Sequence, residues 1–186
     1  MKGMHDMKLR QAPELQTTHW FNTKAPVTLQ SLRGRVVLIE AFQMLCPGCV
    51  SHGLPQAQRV AATFSDKDVT VIGLHTVFEH HAGQGTKEAL EAFLHEYRIT
   101  FPVGIDAPSD SGRLPKTMME YNMQGTPTLL LIDREGRLRK HKFGIEQDLT
   151  LGAEIMALMR ESEGALPKGT DETEAGPTCD EHGCSA

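Results

Sequence analysis

A chain of 186 residues with 39% hydrophobic and 23% charged content is long enough to bury one core and ordinary in composition for a globular protein. Its net charge of −5 argues against nucleic acid or an anionic membrane as a partner, and no apolar stretch approaches the length of a membrane span. Met1 to Arg10 contain no apolar segment of the kind that precedes signal cleavage, so a cytoplasmic location is expected, or an exported one if a leader has been removed. Residues 1–11 are expected to be a flexible N-terminus, residues 12–160 one domain, and residues 161–186 a disordered acidic tail.

Roughly Pro13 to Leu32 reads as a strand or hairpin. Val36 to Phe42 reads as a strand, and Val50 to about Phe64 as a helix interrupted by Gly53 and Pro55, which predict a bulge or an early end near Leu54. Val69 to His75 is a β-branched run suited to a parallel strand. Phe78 to Gly85 reads as a polar loop, whose adjacent His80 and His81 lack the further ligands a metal would need. In Thr86 to Tyr97, Leu90, Phe93, Leu94 and Tyr97 recur at helical spacing. Thr100 to Ile105 is short and extended, and Asp106 to Pro115 is a Pro/Ser/Asp/Gly loop expected to be mobile and to lead towards Pro127. Lys116 to Asn122 holds one or two helical turns, with Met118, Met119 and Met123 as core filling or as a soft peptide-binding rim. A strand from Thr128, a turn at Asp133 to Gly136, and Leu138 to Phe143 make a hairpin, and Leu151, Ile155, Leu158 and Met159 mark a last amphipathic helix.

The chemistry concentrates at Cys46-Pro47-Gly48-Cys49, between the strand ending at Phe42 and the helix that follows. A C-x-x-C at such a junction in a βαβ context is a redox signal. Cys46 falls where an N-cap falls and Pro47 at the first helical position, where a missing N–H costs nothing. A thiolate there faces free backbone N–H groups and the positive end of the helix dipole, which lowers its pKa. Cys46 is therefore the candidate nucleophile and Cys49 its resolving partner. A zinc knuckle would want a second ligand pair that the chain does not supply, and a permanent disulfide closing so short a loop has little entropic leverage.

Ala12-Pro13, Val27 to Val37, Tyr97 to Val103 and Gly125 to Arg137 together resemble the TlpA/ResA-like disulfide reductases of the thioredoxin superfamily and their AhpC/TSA relatives, over about residues 12 to 160. The resemblance implies an α/β fold: a thioredoxin-like three-layer α/β/α sandwich with a mixed central sheet and an N-terminal strand or hairpin extension. It implies a cis-proline at Pro127, opposite the cysteines, with Thr126 pairing its backbone with an extended substrate strand. Pro47, Gly48, Thr126 and Pro127 would then form the substrate-binding side. Thioredoxins also carry a buried acid six residues before the first cysteine, the offset at which Glu40 stands. Val37, Leu38, Ile39 and Ala41 around it predict desolvation and a raised pKa, so Glu40 is the candidate base for Cys49.

Departures from the family pattern are informative. Leu45 stands where a Trp usually precedes the first cysteine, and Pro55 lies six residues after Cys49 rather than five. His52, in the first turns of the helix, either tunes the thiolate or faces solvent. Peroxidases of the AhpC/TSA type carry P-x-x-x-T-x-x-C, but Ile39 and Gln43 occupy the Pro and Thr positions. The expected activity is thus thiol–disulfide exchange, net reducing, on a protein or small-molecule disulfide with an external thiol reductant. A peroxidase and a non-catalytic metal-chaperone or docking redoxin are the alternatives. No cofactor or metal is expected beyond the cysteine pair. Cys179 and Cys184, beyond the acidic stretch, read as a second redox pair, as a Cys/His/Cys metal grip with His182, or as an idle tail.

Overall fold

Seven consecutive buried residues, Val36–Phe42 (β2), form the middle of the molecule. A near-continuous apolar run is what a strand covered on both faces requires. β2 runs parallel to β3 (Val69–His75), and β3 parallel to β4 (Val103–Asp106). On its other side β2 pairs antiparallel with β5 (Thr128–Ile132), which pairs antiparallel with β6 (Leu138–Phe143). β1 (Thr17–Phe21) adds antiparallel to β4, giving the order β1-β4-β3-β2-β5-β6. The computed structural model describes residues 10–161 apart from 111 and 113, together with the backbone of two short strands, β7 (Cys179–Asp180) and β8 (Gly183–Cys184).

Crossover handedness decides where the first helices lie. β2 to β3 to β4 steps twice in the same direction across the sheet, so right-handed connections put α1 (Leu54–Thr63) and α3 (Lys87–Glu96) on one face. α5 (Asp148–Glu161) packs on that face too, where Leu38 and Phe42 meet Leu54, Leu90 and Ile155. The opposite face packs Val37, Ile39 and Ala41 against Met118 and Tyr121, around α4 (Lys116–Glu120). This is the three-layer α/β/α sandwich with a mixed sheet. Strand residues alternate faces, so Glu40 shares the α1 side with Leu38 and Phe42.

The helix after the cysteines is continuous rather than cut at Leu54. It begins at Pro47, widens to a π turn over Cys49–Gly53, and continues as α1 to Thr63. The Leu54 N–H donates to the Cys49 carbonyl, the wider spacing that defines the bulge. Pro55 has no N–H to complete an α-helical bond at this point, and π turns of this kind absorb such a mismatch.

Four further details refine the expected elements. Of the strand or hairpin expected over Pro13 to Leu32, the structure has the strand, β1; Asn22 then turns the chain at φ 58 and donates to the Ile99 and Phe101 carbonyls, and Gln30–Leu32 is a 3-10 turn. Within the polar loop, His81–Gln84 form a short helix (α2) whose Gln84 is buried. Ser109 and Asp110 of the 106–115 loop share a groove with Gln16, Lys116, Met119 and Glu120, apart from the cleft at Pro127. Arg10 and Gln11, expected at a flexible end, are hydrogen-bonded or bridged to Leu138 and Arg137. Most of the expected tail lies outside the described residues, although β7 and β8 pair antiparallel with Cys179 opposite Cys184.

Candidate active site

Cys46 is the N-cap residue of the active-site helix, its carbonyl accepting from the Val50 N–H at 3.1 Å. Its side chain is half-buried, and its Sγ accepts from the Cys49 N–H at 3.2 Å. An N–H aimed at sulfur is the contact through which a helix start stabilises a thiolate. Cys49 is fully buried, and both thiols are free. Burial first, then its hydrogen bond to Cys46, push the Cys49 thiol well above the usual thiol range, against smaller opposing contributions from the Gln43 backbone and Thr126.

Opposite them, the Thr126–Pro127 peptide bond is cis, and the Cys46 thiol lies 3.5 Å from the Thr126 carbonyl as donor. Pro127 also packs over Gly48, where an added Cβ would come within 3.2 Å of the proline Cδ. The Pro47-Gly48 turn and the Thr126–Pro127 turn therefore enclose Cys46 between them.

Glu40 is 2% exposed, and its Oε1 has no hydrogen-bond partner. Burial chiefly, and the nearby Cys46 second, hold its carboxyl well above the ordinary carboxylate value. Among the described residues no hydrogen bond joins Glu40 to either cysteine. Gly53 stands against the carboxyl, so that a Cβ added there would meet both Glu40 and Pro127. These residues line a cleft of about 720 Å³ with His52, Gln56, Arg59 and the segment from Gly144 to Thr150. Gln56 Nε2 donates to Asp148 at 2.6 Å and to the Glu146 carbonyl, and Arg59 pairs with Asp148, so the far wall is tied to α1. His52 is exposed at this cleft, its Nδ1 2.7 Å from Ser51 Oγ.

The sequence gives no pattern for the polar residues behind Cys46. Gln43 and Gln84 are both 1% exposed and bonded to each other, Gln84 Nε2 donating to Gln43 Oε1 at 3.0 Å. Gln84 Oε1 accepts from the Leu45 N–H, and Gln43 Nε2 donates to Glu79 and, at 3.5 Å, to Thr126 Oγ1. One amide pair thus holds the residue before Cys46 and reaches the proline turn. The only signal available in sequence is two glutamines near apolar runs, which is too common to read. Leu45 itself is 57% exposed, an apolar surface beside the nucleophile. Met118 and Met123 are core, while Met119 is exposed on the opposite face. Among the described residues no three His, Cys, Asp or Glu side chains are grouped to hold a metal ion, and no helix is long and apolar enough to cross a membrane.

The sequence profile described as "AhpC/TSA family" matches residues 9–141. A crystal structure of a thioredoxin-like superfamily protein shares 57% identity at a TM-score of 0.79, covering 85% of this chain and 99% of that one. A thiol-disulfide isomerase from Corynebacterium glutamicum shares 46% identity at a TM-score of 0.77, covering 81% and 98%. Among curated relatives, Protein DipZ of Mycobacterium bovis is 32% identical over 139 residues, which span 72% of this chain but 18% of DipZ. Thiol-disulfide oxidoreductase ResA of Bacillus cereus is 25% identical over 129 residues, 69% of this chain and 65% of that protein.

Proposed function

The chain belongs to the AhpC/TSA family, as a redoxin of the thioredoxin superfamily with thiol–disulfide oxidoreductases among its relatives, and from that premise we propose that it catalyses dithiol–disulfide exchange through Cys46 and Cys49. The observation that carries this reading is the asymmetry of the pair: a half-buried sulfur at a helix start accepts at 3.2 Å from the Cys49 N–H, while the Cys49 thiol itself is buried.

The Cys46 thiolate attacks one sulfur of a substrate disulfide, forming a mixed disulfide and releasing the other sulfur as a thiolate that takes up a proton. Cys49 then loses its proton and attacks Cys46 Sγ. The Cys46–Cys49 disulfide forms, and the substrate leaves as a dithiol. An external dithiol resets the pair by donating two electrons and two protons. The Thr126 backbone aligns the substrate as an extended strand, with Leu45, Pro47, Gly48 and Pro127 against it. Glu40 receives the proton that Cys49 must lose, because burial raises its pKa and makes the carboxylate a stronger base than an exposed one. Protein disulfides are the proposed substrates, with net flux in the reducing direction.

A peroxidase reading finds less support. At the position where such enzymes place a peroxide-polarising hydroxyl, the Gln43 amide is engaged by Gln84, Glu79 and the Phe78 N–H. Cys179 and Cys184, opposed in the β7–β8 ladder, are proposed as a second pair that exchanges with the first.

Trapping tests this. Incubated with a disulfide-bonded protein substrate, Cys49→Ser accumulates a mixed disulfide at Cys46, whereas Cys46→Ser accumulates none and loses turnover. If both single variants turn over normally, exchange through this pair is excluded and a docking role takes its place. Alkylation and peptide mass spectrometry across a glutathione redox series report on Cys179 and Cys184 in the same samples.

A further inference from the structure

Gly53 has helical dihedrals, φ −59° and ψ −56°, that any residue adopts. In a helix glycine is disfavoured against alanine by about 1 kcal/mol, so backbone freedom does not account for it here. Volume does. A Cβ at this position would lie 2.1 Å from Glu40 Oε1, 3.0 Å from Glu40 Cδ and 3.2 Å from Pro127 Cβ. The π turn over Cys49–Gly53 shifts the helix register so that this one residue without a side chain stands against the carboxyl. The same Oε1 is buried without a partner and borders the cleft lined by His52, Gly53 and Pro127.

We propose that Gly53 is a positioning residue: its missing side chain makes the seat for the Glu40 carboxyl under the active-site turn, in the wall of the cleft. The seat is matched to glutamate. Aspartate, one methylene shorter, would end short of Gly53, leaving space that a methyl group at position 53 would fill. The π turn and the glycine therefore belong together with the choice of acid at position 40. Protons leave and reach Glu40 on its Gly53 side, from the cleft mouth beside His52, while Cys46 and Cys49 occupy the turn above. This inference rests on the reading that Glu40 serves the cysteine pair.

The test uses the full chain in four forms: wild type, Gly53→Ala, Glu40→Asp and the double variant. The carboxyl titration of Glu40 is followed by carbon NMR, and the resolving rate by quenched single turnover against pH. Gly53→Ala is expected to move the Glu40 titration by about one pH unit or more. It should also slow resolution about tenfold, within what a displaced proton acceptor loses. Glu40→Asp added to Gly53→Ala should recover most of that rate, so the two changes are strongly non-additive. An unmoved Glu40 titration in Gly53→Ala, or simple additivity in the double variant, overturns the seat. Should Gly53→Ala fail to fold, the double variant, which relieves the clash, still reports the coupling against Glu40→Asp alone. Glu40→Gln separates the two ideas: a wild-type rate profile in that variant removes Glu40 from the chemistry, while a moved titration in Gly53→Ala keeps the seat.

Discussion

At the scale of single residues, two buried titratable groups act on stability in opposite directions. Glu40 is held above its ordinary value of 4.5. Between that value and its higher folded one, the native protein holds a proton that the unfolded chain has lost, so stability falls as pH rises through the window. Glu40→Gln keeps the neutral shape without the ionisation. Urea unfolding of the reduced protein should therefore show Glu40→Gln gaining on wild type as pH rises above 4.5. His75 has the reverse sign. Burial lowers it from 6.5 to about 4, so its contribution is lost as pH falls through that range. Cys46, Cys49, Glu40 and Pro127 are legible from sequence because each sits at a fixed offset from a motif. Gly53 is legible only as a helix irregularity, since the carboxyl it accommodates belongs to another element. The Gln43–Gln84 contact joins residues 41 positions apart and has no sequence signature.

Among the elements, the ones best read from sequence are those that packing dictates. Val36–Phe42 and Val69–His75 keep their expected limits because β-branched and apolar side chains leave no doubt about burial on both faces. α2 is not legible, since four residues are too few to show a helical period and a single buried glutamine holds it in place. α3 is capped at its start: Thr86 Oγ1 accepts from the Ala89 N–H at 3.2 Å. Thr86→Ala should lower stability by about 1 kcal/mol in urea unfolding and leave exchange activity unchanged. α4 is held from outside its own sequence. Asp106, at the end of β4, accepts from the Thr117 and Met118 N–H groups and from the Thr76 hydroxyl. Asp106→Ala strands these three donors in the core, and unfolding should register a loss of about 3 kcal/mol or more, with Asp106→Asn retaining part of it.

Across the whole molecule, the site is a product of topology more than of any single segment. The cysteine turn sits at the end of the central strand, the proline turn at the start of its antiparallel neighbour, and the cleft wall comes from the last connection of the sheet. The motifs give the fold class, but not how the β6–α5 connection closes over α1 through Gln56, Arg59 and Asp148. That closure depends on side chains about ninety positions apart in the chain, beyond the reach of local pattern.

The separation of Cys46 from Thr126 by 80 residues has a consequence for a chain made from its N-terminus onward. β2 and β3 lie within one short stretch and can pair early, whereas β5 reaches its place beside β2 only after everything between has been synthesised. Until then, both thiols stand at the end of a strand with one edge uncovered and no proline turn above them. A nascent chain thus presents its dithiol to the surroundings before it presents a binding groove.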